Sequence, residues 1–424
     1  MVFGMKRGFL KPSDRGDSPA PSKIKSTANA FDASSRLNDG RPQSQFQFSE
    51  TCRLYCENPL IVLADYRRPS QSCLLFLPPK NADIVVVDSL ESVVTISKWQ
   101  LWKEPRPAPP PDPPFVIQNA GEKGHGMFAR RPIARGELIV LERPVYVSPR
   151  IVEVNPDQKK VFYNATLAGL SRTAQTSILS LHNAEPGTED VGHIRGVILT
   201  NALAVRMPHT EERYPGLFPH LCKANHDCTP NAHYSFCVHT FTGRFHAVRP
   251  IPEGKEITIG YTDLLAPRIQ RQEELSARYK FGCACATCRL PPVLAAVSDT
   301  KRLSIASYFE SMKTSNIPQG ASLARVKELV RWAEEDYLIE AASILAISGL
   351  RLARRDGDQT ETLMFTVNAI NHVRALEGND SASVATLASR LGLSIQDLTL
   401  ILDKGSPSAS IDYGLIQQLL SKSE

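Results

Sequence analysis

Three cysteines within six residues, in Phe281-Gly282-Cys283-Ala284-Cys285-Ala286-Thr287-Cys288, constrain this chain more than any other feature. The C-x-C-x2-C spacing lets three thiolates converge on one tetrahedral Zn(II), which leaves one position for a ligand from elsewhere. Cys228, inside the dense stretch ANHDCTPNA over residues 224–232, is the candidate for that position. Such a bond would pin the cysteine-rich loop beside Asn225 and His226. A set of buried free thiols is the alternative, but three so close together in a small polar loop are poorly placed to serve as core.

The surrounding chain decides what such a loop is attached to. Its 424 residues leave room for two or three domains, and 42% apolar with 22% charged residues is ordinary globular composition. The formal charge of +5 is spread along the chain, whereas nucleic-acid binders gather Lys and Arg in a patch or stripe. The first residues are broken by Lys6, Arg7 and Lys11 and lack the apolar core of a secretory signal, and no uncharged run reaches membrane-spanning length. An intracellular protein, nuclear or cytoplasmic and without a membrane partner, is expected, with its nine cysteines as reduced thiols or metal ligands.

Residues 1–50, rich in Ser, Pro, Asp, Asn and Gln, read as a disordered tail. The runs CLLFLPP and ADIVVVDSLESVVTISKWQLW make 51–104 a small β-rich segment whose partner strands are not identifiable. Seven prolines over residues 105–114 give a stiff linker, taken as 105–115. Short strands joined by tight turns at Gly124, Gly126 and Gly136 follow it. A helical pattern holds from about 155 to 201, strands resume in AHYSFCVHTFTGRFHAVRPIPEGKEITIGY, and beyond Pro292 the periodicity is helical, with one helix closed by Gly378.

Four stretches, GEKGHGMFARRPIARGELI, ANHDCTPNA, GKEITIGY and FGCACATC, occur in the order and rough spacing of the SET-domain protein methyltransferases. Over residues 116 to about 290 the chain resembles the fungal members and the SET and MYND branch, without the run of Cys and His that a MYND finger needs. The resemblance implies an α+β fold: a β-rich SET core of small sheets over 116–265 with a helical insert about 155–201, a zinc-bound post-SET loop over 266–292, and an α-helical region over 293–424. It implies Cys228, Cys283, Cys285 and Cys288 as zinc ligands. S-adenosyl-L-methionine would be held by Lys123, Gly124, His125 and Gly126, by Asn225 and His226, by Asn201, and by Phe281 beside the adenine. Tyr261 matches the family's active-site Tyr and also borders the cofactor. His125 stands where an Arg is frequent, so backbone contacts are expected there.

These residue types suit the chemistry. Methyl transfer from a sulfonium is an in-line displacement, so the protein has to align a lysine amine and exclude water. The amide of Asn225 both donates and accepts, and aromatic faces such as Phe281 and Tyr261 attract a cation. Expected from this is a protein-lysine N-methyltransferase acting on a histone or another protein with a target lysine. The alternatives are a SET-fold scaffold without turnover, in transcriptional or chromatin regulation, and a regulator whose helical tail recruits partners.

Other features take plainer readings. Cys52, Cys56 and Cys73 lack a fourth ligand before the linker, since no His precedes it. Cys222 and Cys237 read as small core residues. The stretch SVATLASRLGLSIQDLTLILD mimics a helix-turn-helix, but its second helix carries Asp397 and no Arg or Lys, so packing helices and no direct nucleic-acid binding are expected.

Overall fold

The computed structural model describes residues 60–63, 72–77, 82–102, 111–152, 154, 159–185, 193–315, 317–379 and 381–389. The expected tail over 1–50, most of the Pro-rich linker, Cys52 and Cys56, and the helix-turn-helix look-alike past Ser389 lie outside the described residues. In chain order the strands are β1 (Leu60–Leu63), β2 (Cys73–Leu77), β3 (Ile84–Asp88), β4 (Phe115–Asn119), β5 (His125–Ala129), β6 (Leu138–Glu142) and β7 (Tyr146–Val147). They continue as β8 (Leu203–Arg206), β9 (Arg213–Leu217), β10 (Asn225–His226), β11 (Ala232–Cys237), β12 (Thr242–Ala247) and β13 (Glu256–Ile259). The helices are α1 (Leu90–Ser97), α2 (Lys159–Ala168), α3 (Arg172–Leu179), α4 (His193–Asn201), α5 (Arg268–Tyr279), α6 (Pro292–Met312), α7 (Leu323–Glu335), α8 (Ile339–Asp356), α9 (Gln359–Glu377) and α10 (Ala382–Ser389).

Two units are distinguishable. One draws on Gly8–Pro105 and Pro144–Pro219. Its six-stranded sheet has the order β1-β2-β3-β7-β9-β8, so the partner of β3 that the sequence did not reveal is the two-residue β7, paired parallel at Val85–Tyr146 and Val86–Val147. Every residue of β2 and β3 is buried, which explains their uninterrupted Leu and Val runs. SLESVVTIS, expected as strand, is instead α1. The Ser89 hydroxyl accepts from the Ser92 N–H as an N-cap, and Val93 and Ile96, three residues apart, fall on the buried face. The helical pattern of 155–201 resolves into α2, α3 and α4.

The other unit contains Arg106–Arg143 and His220–Glu424. Its strands form two small sheets, β10-β13-β5-β4 and β11-β12-β6. β10 lies parallel to β13, with Asn225 opposite Thr258 and His226 opposite Ile259. Asn231 fixes this arrangement from the side, its Nδ2 donating to Glu256 O at 2.8 Å and its Oδ1 accepting from Thr258 N at 2.8 Å. The ANHDCTPNA stretch is thereby stitched to the strand that precedes Tyr261.

Helices α6 to α10 follow, with a core that includes Phe309, Leu329, Leu345 and Phe365. The stretch from Ser322 to Arg355 breaks at Tyr337, whose φ of 53° ends α7 and starts α8. Gly349 lets α8 and α9 touch closely, since a Cβ there would stand 2.2 Å from the Phe365 ring. Gly378 closes α9 with a φ of 89°.

Candidate active site and metal centre

Cys228, Cys283, Cys285 and Cys288 converge, with one sulfur from each lying within 4.8 Å of the others. Cys228 and Cys288 approach to 3.5 Å. A tetrahedral zinc thiolate site, with Zn–S about 2.3 Å, places its sulfurs about 3.8 Å apart, so this donor set is compatible with Zn(II). Crowding sets the thiols against each other. Hydrogen bonds from its neighbours, Cys228 first, push the Cys285 thiol far down, while Cys228 is pushed up by holding a proton toward Cys283. A divalent cation removes that conflict by favouring four thiolates at once.

Helix α5 holds the loop with three side chains at i, i+3 and i+4. Arg268 Nη1 donates to Leu290 O at 3.1 Å, Arg271 Nε donates to the Cys228 sulfur at 3.3 Å, and Gln272 pairs with the Cys283 backbone in both directions, at 2.7 and 2.8 Å. The helix ends at Lys280, whose left-handed φ of 62° turns the chain into Phe281 and the cysteine loop. From α6, the fully buried Arg302 donates to the carbonyl oxygens of Leu264 and Cys228 and pairs with Asp336 at 3.0 Å. The guanidinium groups of Arg271 and Arg302 are among the largest fully buried side chains of the protein, and both lean on the Cys228 segment.

Next to this cluster, His226 is 5% exposed, and burial pushes its pKa down to about 3. It is therefore neutral at pH 7. Its Nδ1 accepts from the Tyr261 backbone N–H at 2.9 Å, so its proton sits on Nε2, 3.3 Å from the Cys228 sulfur. Tyr261, 6% exposed, donates its hydroxyl to Ala224 O at 2.6 Å. The rings of Tyr261 and Tyr279 lie 4.9 Å apart, and Phe281 stands 6.4 Å from both Tyr279 and His226.

A polar face adjoins this aromatic group. Asn225 Nδ2 donates to Glu256 Oε1 at 2.8 Å and to His125 O at 3.2 Å, and Lys123 pairs with Glu256 at 2.7 Å. Gly124, with φ of 75°, turns the chain, and Gly126 passes so close that a Cβ would stand 2.9 Å from Glu256 Oε1 and 3.0 Å from Asn225 Nδ2. Among the nominated residues, Lys123, Gly124, His125, Gly126, Asn225, His226, Tyr261 and Phe281 all belong to the same unit as the four cysteines. Asn201 belongs to the other unit, where its amide donates to Val197 O at 2.8 Å and to His182 O at 2.6 Å.

The SET domain family matches residues 124–262. Residues 124–262 are a SET domain. Histone-lysine N-methyltransferase set5 of Schizosaccharomyces pombe is similar at 29% identity over 263 residues, 61% of this chain and 77% of that protein. Histone-lysine N-methyltransferase SMYD3 of Mus musculus is 31% identical over 107 residues, 24% of either chain. N-lysine methyltransferase SMYD2-B of Danio rerio is 24% identical over 210 residues, 49% of this chain and 41% of that protein. The chain thus carries a SET domain and is similar to proteins of the SET and MYND branch, and its fold combines small sheets, a cluster of Cys228 with three cysteines that follow the SET domain, and a helical C-terminal region. Among the described residues no helix is long and apolar enough to cross a membrane.

Sequence reading missed Glu256, Arg271, Gln272, Tyr279 and Arg302. The signal for α5 was available only in its spacing: Arg268, Arg271 and Gln272 share one helical face, yet in a helix so polar they read as solvated surface.

Proposed function

We propose that the protein is an S-adenosylmethionine-dependent protein-lysine N-methyltransferase with a structural Zn(II) on Cys228, Cys283, Cys285 and Cys288. The observation that carries this reading is Tyr261, held by its hydroxyl to Ala224 O and by its N–H to His226, the neighbour of Asn225 in β10, with the Tyr279 ring 4.9 Å away. When bound, S-adenosylmethionine supplies an electrophilic methyl group on a sulfonium. The backbone turn over Lys123 to Gly126, together with Asn225, would bind its polar end, and Phe281 offers a ring for the adenine. Tyr261 and the Ala224 carbonyl orient the lysine amine, which reacts as the free base. Its proton can leave to solvent, so no His base is needed, in keeping with an imidazole committed to Cys228 and Tyr261.

A cleft of about 400 Å³ lies in the same unit, bordered by Gly260 and Thr262 on either side of Tyr261 in sequence. Phe309, Leu264 and Leu338 are among its apolar lining, while Asp263, Glu310 and Glu340 bring three carboxylates against Lys313, which pairs with Glu310 at 2.7 Å. That charge suits a protein substrate whose target lysine sits in a basic segment, as histone tails do. The domain roles follow: SET core 116–265 for chemistry, loop 266–292 for the metal, helices from 293 onward for substrate.

Calorimetric titration of the zinc-replete protein with S-adenosylmethionine, followed by a zinc assay, tests the reading. Stoichiometric zinc and saturable cofactor binding are expected. Absence of both would sink it, and binding without transfer to any protein would favour the scaffold alternative.

A further inference from the structure

We propose that His226 is a positioning residue, a hydrogen-bonded bridge by which the four-cysteine metal site fixes the place of Tyr261. The proposal rests on the reading that these cysteines hold a metal and that Tyr261 orients the lysine amine. Cys228, His226 and Arg271 are buried to 0%, 5% and 1% exposure, in a region where an unpaired N–H would be costly. The Cys228 sulfur receives two such donors at 3.3 Å, Nε2 of His226 and Nε of Arg271. The far side of the same imidazole accepts the Tyr261 N–H at 2.9 Å.

The strand geometry explains why a side chain takes this bond. β10 ends at His226, opposite Ile259, and the Asp227 N–H already donates to Ile259 O at 3.0 Å. β13 also ends there, so the N–H of Tyr261 lies beyond the ladder and finds the imidazole instead. The hydroxyl end of Tyr261 bonds Ala224 O at 2.6 Å, two residues before His226. Both ends of Tyr261 therefore hang from the segment 224–228, whose last residue is a metal ligand. Releasing Cys228 from the metal would loosen the imidazole, and with it the backbone of Tyr261. Arg271 reaches the sulfur from α5 without touching this bridge, which makes it the natural control.

The test uses the full chain loaded with Co(II), because the sulfur-to-cobalt charge-transfer band reports N–H donation to thiolate: losing a donor moves the band to lower energy. His226→Phe keeps a ring beside Tyr261 and removes both hydrogen bonds. It is expected to move the band to lower energy, weaken Co(II) binding by about 10-fold, and speed exchange of the Tyr261 amide by about 10-fold or more. Its kcat should fall at least as far. Arg271→Met should move the band and leave Tyr261 amide exchange unchanged. Should His226→Phe fail to fold, His226→Asn separates the two halves: its amide oxygen can accept from the Tyr261 N–H while its shorter side chain falls short of Cys228, so the band moves and amide protection stays. An unmoved band, or Tyr261 exchange unchanged in His226→Phe, overturns the bridge. If the wild type transfers no methyl group, the methyltransferase reading fails alone, because the band and amide measurements still decide the bridge.

Discussion

A methyl group added at Gly126 tests the cofactor face most sharply. The new Cβ would stand 2.9 Å from Glu256 Oε1, 3.0 Å from Asn225 Nδ2 and 3.0 Å from Ala120 Cβ. The two polar atoms are ends of side chains and could swing aside, but they bond each other at 2.8 Å, and Lys123 holds Glu256 at 2.7 Å. Moving either one separates the pair. A hydrogen bond to a carboxylate contributes about 1.5–3 kcal/mol. If the bound cofactor needs Asn225 and Glu256 in their observed places, Gly126→Ala should weaken its binding by about 10- to 150-fold. Because Gly126 is buried and the pair is made by the fold itself, separating it should also cost the fold about 1.5–3 kcal/mol. Titration calorimetry with S-adenosylmethionine, run beside a zinc assay and a thermal melt, reads all three quantities. Affinity within about twofold of wild type, with zinc retained and the melting temperature lowered, would mean that this turn does not face the cofactor.

Further outcomes test other parts of the account. Cys285→Ser should lose zinc and weaken both cofactor binding and transfer, and unchanged zinc content and activity would rule out the four-cysteine site. Glu310→Lys, at the exposed end of α6, should raise KM for a basic peptide several-fold with kcat and melting temperature unchanged; an unaltered KM would remove the cleft from substrate recognition. His233 is pushed down to about 4 by burial and by His246 facing it across the strands. Because its folded pKa lies below the unfolded value near 6.5, unfolding takes up a proton, and the stability it contributes above pH 6.5 is lost as pH falls toward 4. Between pH 7.5 and 5.5 this amounts to about 1.4 kcal/mol, so His233→Gln should flatten the pH dependence of the urea midpoint over that window, and an unchanged slope would contradict it.

How much of this was legible depended on whether a residue's role is local. The cysteine loop could be nominated from its own spacing, whereas Asn225, His226 and Tyr261 were nominated through the resemblance of four short motifs in order. The helices past Pro292 and the closure at Gly378 were equally local, a matter of periodicity and a glycine turn. The six-stranded sheet was not, since β3 pairs with a two-residue strand some sixty positions later, too short to carry an alternating pattern. α1 was misread because Val93, Val94 and Ile96 favour strands by type, while the Ser89 cap and the buried face decide the helix. Arg271 and Arg302 were invisible for a related reason: an arginine is assumed solvated until a buried carbonyl or sulfur is shown to need it. The Asn201 amide donates to the carbonyl oxygens of His182 and Val197, contacts that no local pattern in the sequence spells out.

The central claim is tested most directly by following labelled methyl from S-adenosylmethionine into protein, comparing the zinc-replete wild type with Tyr261→Phe on histones and on a fractionated lysate. Wild type should place the label on lysine side-chain amines. Tyr261→Phe should lose at least about 100-fold of that rate while binding the cofactor with near-normal affinity, since its hydroxyl faces the Ala224 carbonyl. Label transfer at the wild-type rate by Tyr261→Phe, or none by the wild type on any protein fraction despite bound zinc and cofactor, would contradict it.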